Sequence, residues 1–383
     1  MKRLGILLAI VLLLGTLAAP ARATDLQVAG KSALLMDIAT GTVIYENNAH
    51  EKLAPASVTK VMTLLLIMEA IDSGRIRWED TVTASEAAAA KGGSQIFLKA
   101  GETMSVSDMV KSIAVSSAND CACAMAEHIA GSEAAFVEKM NARAAQLGME
   151  DTHFVNCTGL DDGEDAASHL TSAYDIAVMS RELMKNHPDL TKFTTIWMDT
   201  VRGGSFGLAN TNKLVRFYPG ATGLKTGFTS AAGYCLSATA QRDSLGLIAV
   251  VMGAETSQER FNSCKQMLDY GFASFCLAKP QLPAENTVRV KLGTATQVKA
   301  VPAESIELLI DKSQQSSITT EVTLQEELTA PISEGERLGM LVVKSGEHIL
   351  AQVPMVAESA VTRLSFWDIF AKVLGRITMA APA

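Results

Sequence analysis

The chain has 383 residues, is 48% hydrophobic and 19% charged, and carries a formal charge of −8. That length accommodates about two domains of ordinary size, and the apolar content excludes a disordered chain. An acidic surface repels phosphates, so the balance of charge argues against nucleic acid as a partner.

The first 23 residues stand apart. Lys2 and Arg3 precede the apolar run "LGILLAIVLLLGTLAA", which ends in Ala21-Arg22-Ala23. A basic start, an apolar middle and an A-x-A exit predict a secretory signal peptide, with an uncleaved anchor as the alternative. Either reading predicts an exported body. Cleavage removes three basic residues and no acid, which moves the formal charge from −8 to −11.

"SALLMDIATGTVIYENNAH" alternates around Thr40-Gly41-Thr42 and predicts a β-hairpin. "SVTKVMTLLLIMEAIDSG" predicts a helix that begins after Pro55 and stops at Gly74. Residues 80–112 read as short strands and turns. "NDCACAMAEHIAG", "SEAAFVEKMNARAAQLGM" and "SAYDIAVMSRELMKN" predict three more helices. From about residue 194 strands dominate: "FTTIWMDTVR", "GYCLSATAQR" and "SLGLIAVVMGA", with a helix in "SQERFNSCKQMLDYGFASF" packed over them. These elements predict one α+β domain over residues 24–277, with helices against a mainly antiparallel sheet. "AKPQLPAEN" reads as a linker, and the short β-rich runs over 281–357 predict a small all-β sandwich.

Residues 361–379 form the tail. At 100° per residue, Phe366, Trp367, Ile369, Phe370, Val373, Leu374 and Ile377 share one side and Ser365, Asp368, Lys372 and Arg376 the other. An aromatic, apolar face opposite a mostly basic one suits a helix lying in a membrane surface; a helix docked on the protein's own core or in an oligomer contact is the alternative.

Cys121, Cys123, Cys157, Cys235, Cys264 and Cys276 form no compact framework and read as small buried thiols. Neither a CxxC pair nor a His cluster has metal-ligand spacing, so neither zinc nor another cofactor is expected.

Three short motifs carry the chemistry. Ser57-Val58-Thr59-Lys60 puts a hydroxyl and an amine three residues apart, although a capped helix start explains the pair equally well. Ser117-Ala118-Asn119 and Lys225-Thr226-Gly227 follow, each weak alone. In this order they are the signature set of penicillin-binding proteins and serine β-lactamases. "LLMDIATGTVIYENNAHEKLAPASVTKVMT", "HFVNCTGL", "HLTSAYDIA", "NTNKLV" and "GLKTGFTSAAGYCLSATA" resemble the serine-type D-alanyl-D-alanine carboxypeptidases, the low-molecular-mass penicillin-binding proteins, over residues 30 to about 275. The resemblance implies a penicillin-recognising sheet flanked by helices with a helical subdomain. It implies peptidoglycan stem peptides ending D-Ala-D-Ala as substrate and β-lactam antibiotics as inhibitors. The β-rich module and the tail match the family's layout with weaker sequence signals.

Chemical need assigns expected roles. Ser57 requires a base, and Lys60 serves if it is neutral. Burial disfavours its charge, and so would a cationic Lys225 beside it. Ser117 can pass a proton to the leaving amine, and Asn119 can bond the substrate's backbone amide. Lys225 and Thr226 suit a terminal carboxylate. By resemblance, the backbone N–H groups of Ser57 and of Phe228, just after Gly227, form the oxyanion hole, and Arg260 helps the carboxylate; a surface charge explains Arg260 equally well. Phe228 departs from the polar residue or histidine that the family often carries there. His153 and His169 read as structural.

A class A β-lactamase is a rival reading, with Glu182 and Asn186 at Glu-x-x-x-Asn spacing, but a solvated helix face explains that pair better. An endopeptidase or transpeptidase shares every motif. A non-catalytic wall-binding protein is disfavoured by the intact Lys60 and Lys225.

Overall fold

The structure, a computed structural model, describes residues 26–379 apart from 164 and 284; the expected signal peptide lies outside the described residues. The predicted hairpin forms from β1 (Ser32–Asp37) and β2 (Val43–Asn47). Alternate residues of β1 serve two cores. Leu34 and Met36 join one cluster with Ile248, Val250 and Met252; Ala33 and Leu35 join a second with Leu247, Ala249 and Val251. A strand places successive side chains on opposite faces, so a sheet covered on both sides needs apolar residues at every position.

That sheet has five antiparallel strands in the order β2-β1-β9-β8-β7, with β7 (Ala221–Thr229), β8 (Gly233–Arg242) and β9 (Leu245–Ala254) closing it. One face is covered by α9 (Ser257–Ser274) through Phe261, Cys264, Met267 and Leu268. The other carries α1 (Lys60–Asp72), whose residues from Lys60 to Met68 are all buried, as befits a central helix. Around α1 stand α4 (Asn119–Ala130), α5 (Glu133–Gln146) and α6 (Ala173–Asn186) at the predicted places. Small elements complete the domain: α2 (Glu86–Ala89), α7 (Thr191–Thr194) and α8 (Leu214–Phe217), with the strand pairs β3 (Thr81–Thr83) to β4 (Thr103–Ser105) and β5 (Met198–Val201) to β6 (Phe206–Ala209).

Residues 80–112 differ from expectation, because a full helix, α3 (Val106–Ser116), fills their end. Val106, Met109, Val110 and Ile113 have helical spacing, and the Ser105 side chain accepts from Asp108 N–H as an N-cap. The start of "FTTIWMDTVR" likewise lies in α7 and the following turn, and only Met198–Val201 pairs as strand.

The second domain is all-β. Six strands run in the order β14-β16-β17-β12-β11-β15: β11 (Thr287–Lys291), β12 (Gln297–Pro302), β14 (Ile318–Leu324), β15 (Glu327–Thr329), β16 (Arg337–Ser345) and β17 (His348–Ala357). Their core holds Val288, Val298, Leu338, Leu341 and Met355. The connection is tied down: β10 (Phe275–Ala278), directly after α9, pairs with β13 (Leu308–Asp311). The tail forms α10 (Phe366–Met379).

Candidate active site

The backbone around the nucleophile is held in an uncommon shape. A 3₁₀ turn over Ala56–Thr59 leads into α1, and Ala56 has φ 48°. A residue with a Cβ occupies that left-handed region at a cost of about 1–3 kcal/mol, so its surroundings must impose it. Thr59 Oγ1 donates to the Ala56 carbonyl at 2.8 Å. Gly159, at φ +81°, packs so closely on the same carbonyl that a Cβ would lie 1.8 Å from it.

In a 3₁₀ turn residues three apart eclipse. Lys60 Nζ therefore lies 2.9 Å from Ser57 Oγ, and it donates to the Thr158 carbonyl at 2.7 Å. Lys60 is fully buried, and that burial lowers its pKa to about 7 against the opposing pull of Cys157 and Asp120. The Asp120 carboxylate is already engaged, accepting N–H bonds from Ile96, Leu98 and Cys121.

Lys225 sits on β7, the edge strand beside this turn, and donates to the Thr226 carbonyl at 2.9 Å. Its pKa is pushed well below the ordinary lysine value, first by burial, then by Lys60 and Arg260. Burial is the leading cause at both lysines, and because like charges repel, each disfavours the charged form of the other.

Gly227 brings β7 against the nucleophile: a Cβ there would meet the Pro55 carbonyl at 2.6 Å and Ser57 N at 3.1 Å. The Phe228 ring is 53% exposed and tilts on Tyr234 with centroids 4.3 Å apart. Thr226 Oγ1 donates to Thr211 Oγ1 at 2.7 Å, which adds Thr211 from "NTNKLV" to the site.

Ser117 ends α3 at φ 63°, and Asn119 begins α4. Asn119 Nδ2 donates to the Gly92 carbonyl at 2.7 Å. Ser117 Oγ and Asn119 Oδ1 are buried and have no hydrogen-bond partner among the described residues. Orphaned buried polar atoms are rare in folded proteins. Two of them, two residues apart, mark a surface that a polar ligand completes.

Arg260 is nearly buried. Its Nη1 donates to the carbonyls of Gly227 at 2.8 Å and Cys235 at 3.2 Å, bracing β7 and β8 where Lys-Thr-Gly ends, while its Nε has no partner among the described residues. It is therefore no solvated surface charge. His169 Nδ1 accepts from Val155 N–H at 3.0 Å, so Nε2 carries the proton and donates to Thr59 Oγ1 at 2.7 Å. Burial lowers its pKa to about 4, and the neutral ring props the turn. His153 contributes its backbone, bridged to Leu170.

Glu182 and Asn186 bond each other at 2.9 Å on α6, and Glu182 pairs with Arg143 at 2.6 Å. They form a helix-surface network of the expected kind. All six cysteines are free, and no group of side chains among the described residues could hold a metal. Asn156 and Thr158 in "HFVNCTGL" and Thr211 in "NTNKLV" reach the site without a role expected from the sequence. Thr158 acts through a backbone carbonyl, which has no signature in a sequence.

Residues 18–256 match the family described as D-alanyl-D-alanine carboxypeptidase, and residues 279–363 match the penicillin-binding protein 5 C-terminal domain. D-alanyl-D-alanine carboxypeptidase DacF of Bacillus subtilis is 42% identical over 92% of this chain and 91% of its own length. The crystal structure of penicillin-binding protein 5 from Haemophilus influenzae superposes with a TM-score of 0.77 at 30% identity, covering 89% of this chain and 99% of that one. Penicillin-binding protein D2 of Listeria monocytogenes in its ampicillin-bound form superposes with a TM-score of 0.57 at 31% identity, covering 65% of this chain and 100% of that one. With the family matched over residues 18–256, more than half of the chain, and a relative matched nearly end to end, the chain belongs to the D-alanyl-D-alanine carboxypeptidase family.

Proposed function

We propose that this protein removes the terminal D-alanine from stem peptides ending D-Ala-D-Ala, by way of an acyl-enzyme on Ser57. The observation that carries the reading is the 2.9 Å approach of Ser57 Oγ to a buried lysine whose pKa falls to about 7. A neutral amine at that distance can take the hydroxyl proton as the oxygen attacks the penultimate carbonyl carbon. The backbone N–H groups of Ser57 and Phe228 receive the oxyanion, since Gly227 lets the edge strand approach Ser57 N. Ser117 returns a proton to the departing amine, and Asn119 Oδ1 accepts the substrate's amide N–H. The carboxylate of the last D-alanine docks on Lys225, Thr226 and Thr211. Its charge raises the pKa of Lys225, so the ion pair forms on binding. Arg260 acts on this pocket through the strand it braces. Water then releases the shortened peptide.

A β-lactam carries a similar carboxylate and acylates the same oxygen. The protein works outside the cytoplasm, held at a membrane surface by α10, whose Phe366 and Trp367 are 72% and 73% exposed. No helix among the described residues is long and apolar enough to cross a membrane.

Two experiments test this. Labelled penicillin attaches to the wild-type chain and not to Ser57→Ala; labelling that survives the substitution rejects the nucleophile. A D-Ala-D-Ala pentapeptide yields tetrapeptide and free D-alanine by mass analysis; cross-linked product instead identifies an amine as the acyl acceptor.

A further inference from the structure

The turn over residues 156–160 touches several parts of the site at once. The Thr158 carbonyl receives Lys60, Gly159 presses on the Ala56 carbonyl, and Leu160 lies within reach of Gly93 beside Asn119. One side chain builds this turn. Asn156 Oδ1 accepts from Thr158 N–H at 3.0 Å, Thr158 Oγ1 at 3.1 Å and Gly159 N–H at 2.6 Å, and its Nδ2 donates to the Leu160 carbonyl at 2.9 Å.

The consequence lies at the amine. A neutral Lys60 has two N–H bonds and one lone pair. A carbonyl fixed 2.7 Å away takes one N–H and limits rotation about the Cε–Nζ bond. The lone pair can then face Ser57 Oγ, the only useful direction for a base. If the carbonyl drifts, the amine can turn an N–H toward Ser57, and the base is spoiled while the fold survives.

We propose that Asn156 is a positioning residue for the base: it clamps the 156–160 turn, aims the Thr158 carbonyl at Lys60 and so orients the amine toward Ser57. This inference rests on the Ser57 acyl-enzyme reading above.

The electrostatic setting makes it testable. Lys60 faces Cys157 on the turn, Asp120 on α4, Lys225 on β7 and His169 behind Thr59. Asn156 borders a cavity of about 410 Å³ that it shares with Lys91, Glu133, Asp162 and Asp165. Lys91 and Glu133 pair with each other at 2.6 Å. A carboxylate in place of the Asn156 amide keeps the three-way acceptor and adds a negative charge near the base.

The test uses the full chain, labelled penicillin, and acylation rates measured across pH, with melting temperature as the control for folding. Asn156→Ala loses the clamp, and acylation slows about 10²-fold at every pH, the scale expected for a misplaced catalytic group. Asn156→Asp regains most of the rate at alkaline pH, and its acid limb moves to higher pH because the new charge favours protonated Lys60. Asn156→Ala acylating within about twofold of wild type, or an Asn156→Asp profile superimposed on that of Asn156→Ala, overturns the proposal. A wild-type chain that is never acylated rejects the function itself and this inference with it. Normal wild-type acylation with unaffected variants rejects only the role of Asn156.

Discussion

At the scale of single residues, the chemistry turns on an amine kept neutral by burial. Lys60 has an ordinary pKa of 10.5 and falls to about 7 in the folded chain. The acylation rate therefore rises with pH through an inflection near 7 and levels off above it, measured with labelled penicillin. Stability follows the same proton. Between about pH 7 and 10.5 the unfolded chain holds a proton on this lysine that the folded chain has shed, so stability rises with pH across that window, and the burial penalty is full below it. Lys60→Met abolishes acylation, and its melting temperature gains on wild type as pH drops from about 9 to 6. A melting difference that stays constant over that range contradicts a depressed Lys60.

At the scale of elements, the site is a contact between an edge strand and a strained turn. Gly227 permits that contact. Gly227→Ala pushes β7 from Ser57, and penicillin acylation drops about 10²-fold while circular dichroism stays native; acylation at the wild-type rate shows that the strand need not approach so closely. Much of this was legible beforehand. Ser57 and Lys60 are close in the chain, Lys-Thr-Gly stands out by composition, and the hairpin and β8–β9 announce themselves by strand patterning. What escaped has a physical reason. The serines at 105, 107, 112 and 116 disguise α3 as turns, although Val106, Met109, Val110 and Ile113 keep helical spacing. The left-handed Ala56 carries a carbonyl packed against Gly159, more than a hundred residues away, and no local pattern foretells it. The neutral Lys60 was legible as a chemical need, whereas the lowered pKa of Lys225 was not, because it depends on how deeply that lysine is buried.

At the scale of the whole molecule, a β-rich domain and a terminal helix follow the catalytic domain. Pairing of β10 with β13 and the bond from Lys312 Nζ to the Phe272 carbonyl at 2.6 Å tie the β-rich domain to the end of α9. α10 stands beyond both, with Phe366, Trp367 and Phe370 exposed. A chain ending at residue 363 acylates at the wild-type rate but no longer sediments with anionic phosphatidylglycerol vesicles; equal sedimentation of both chains rules out α10 as the anchor. The cleft itself is a product of the entire catalytic fold, since a helix start, an interhelical corner and an edge strand meet only when the sheet closes. The most direct test of that convergence is an NMR titration of lysines labelled with ¹³C at Cε, with the Lys60 signal assigned by its loss in Lys60→Met. The Lys60 signal is expected to titrate near pH 7; a Lys60 signal that titrates near pH 10 contradicts a base kept neutral by burial.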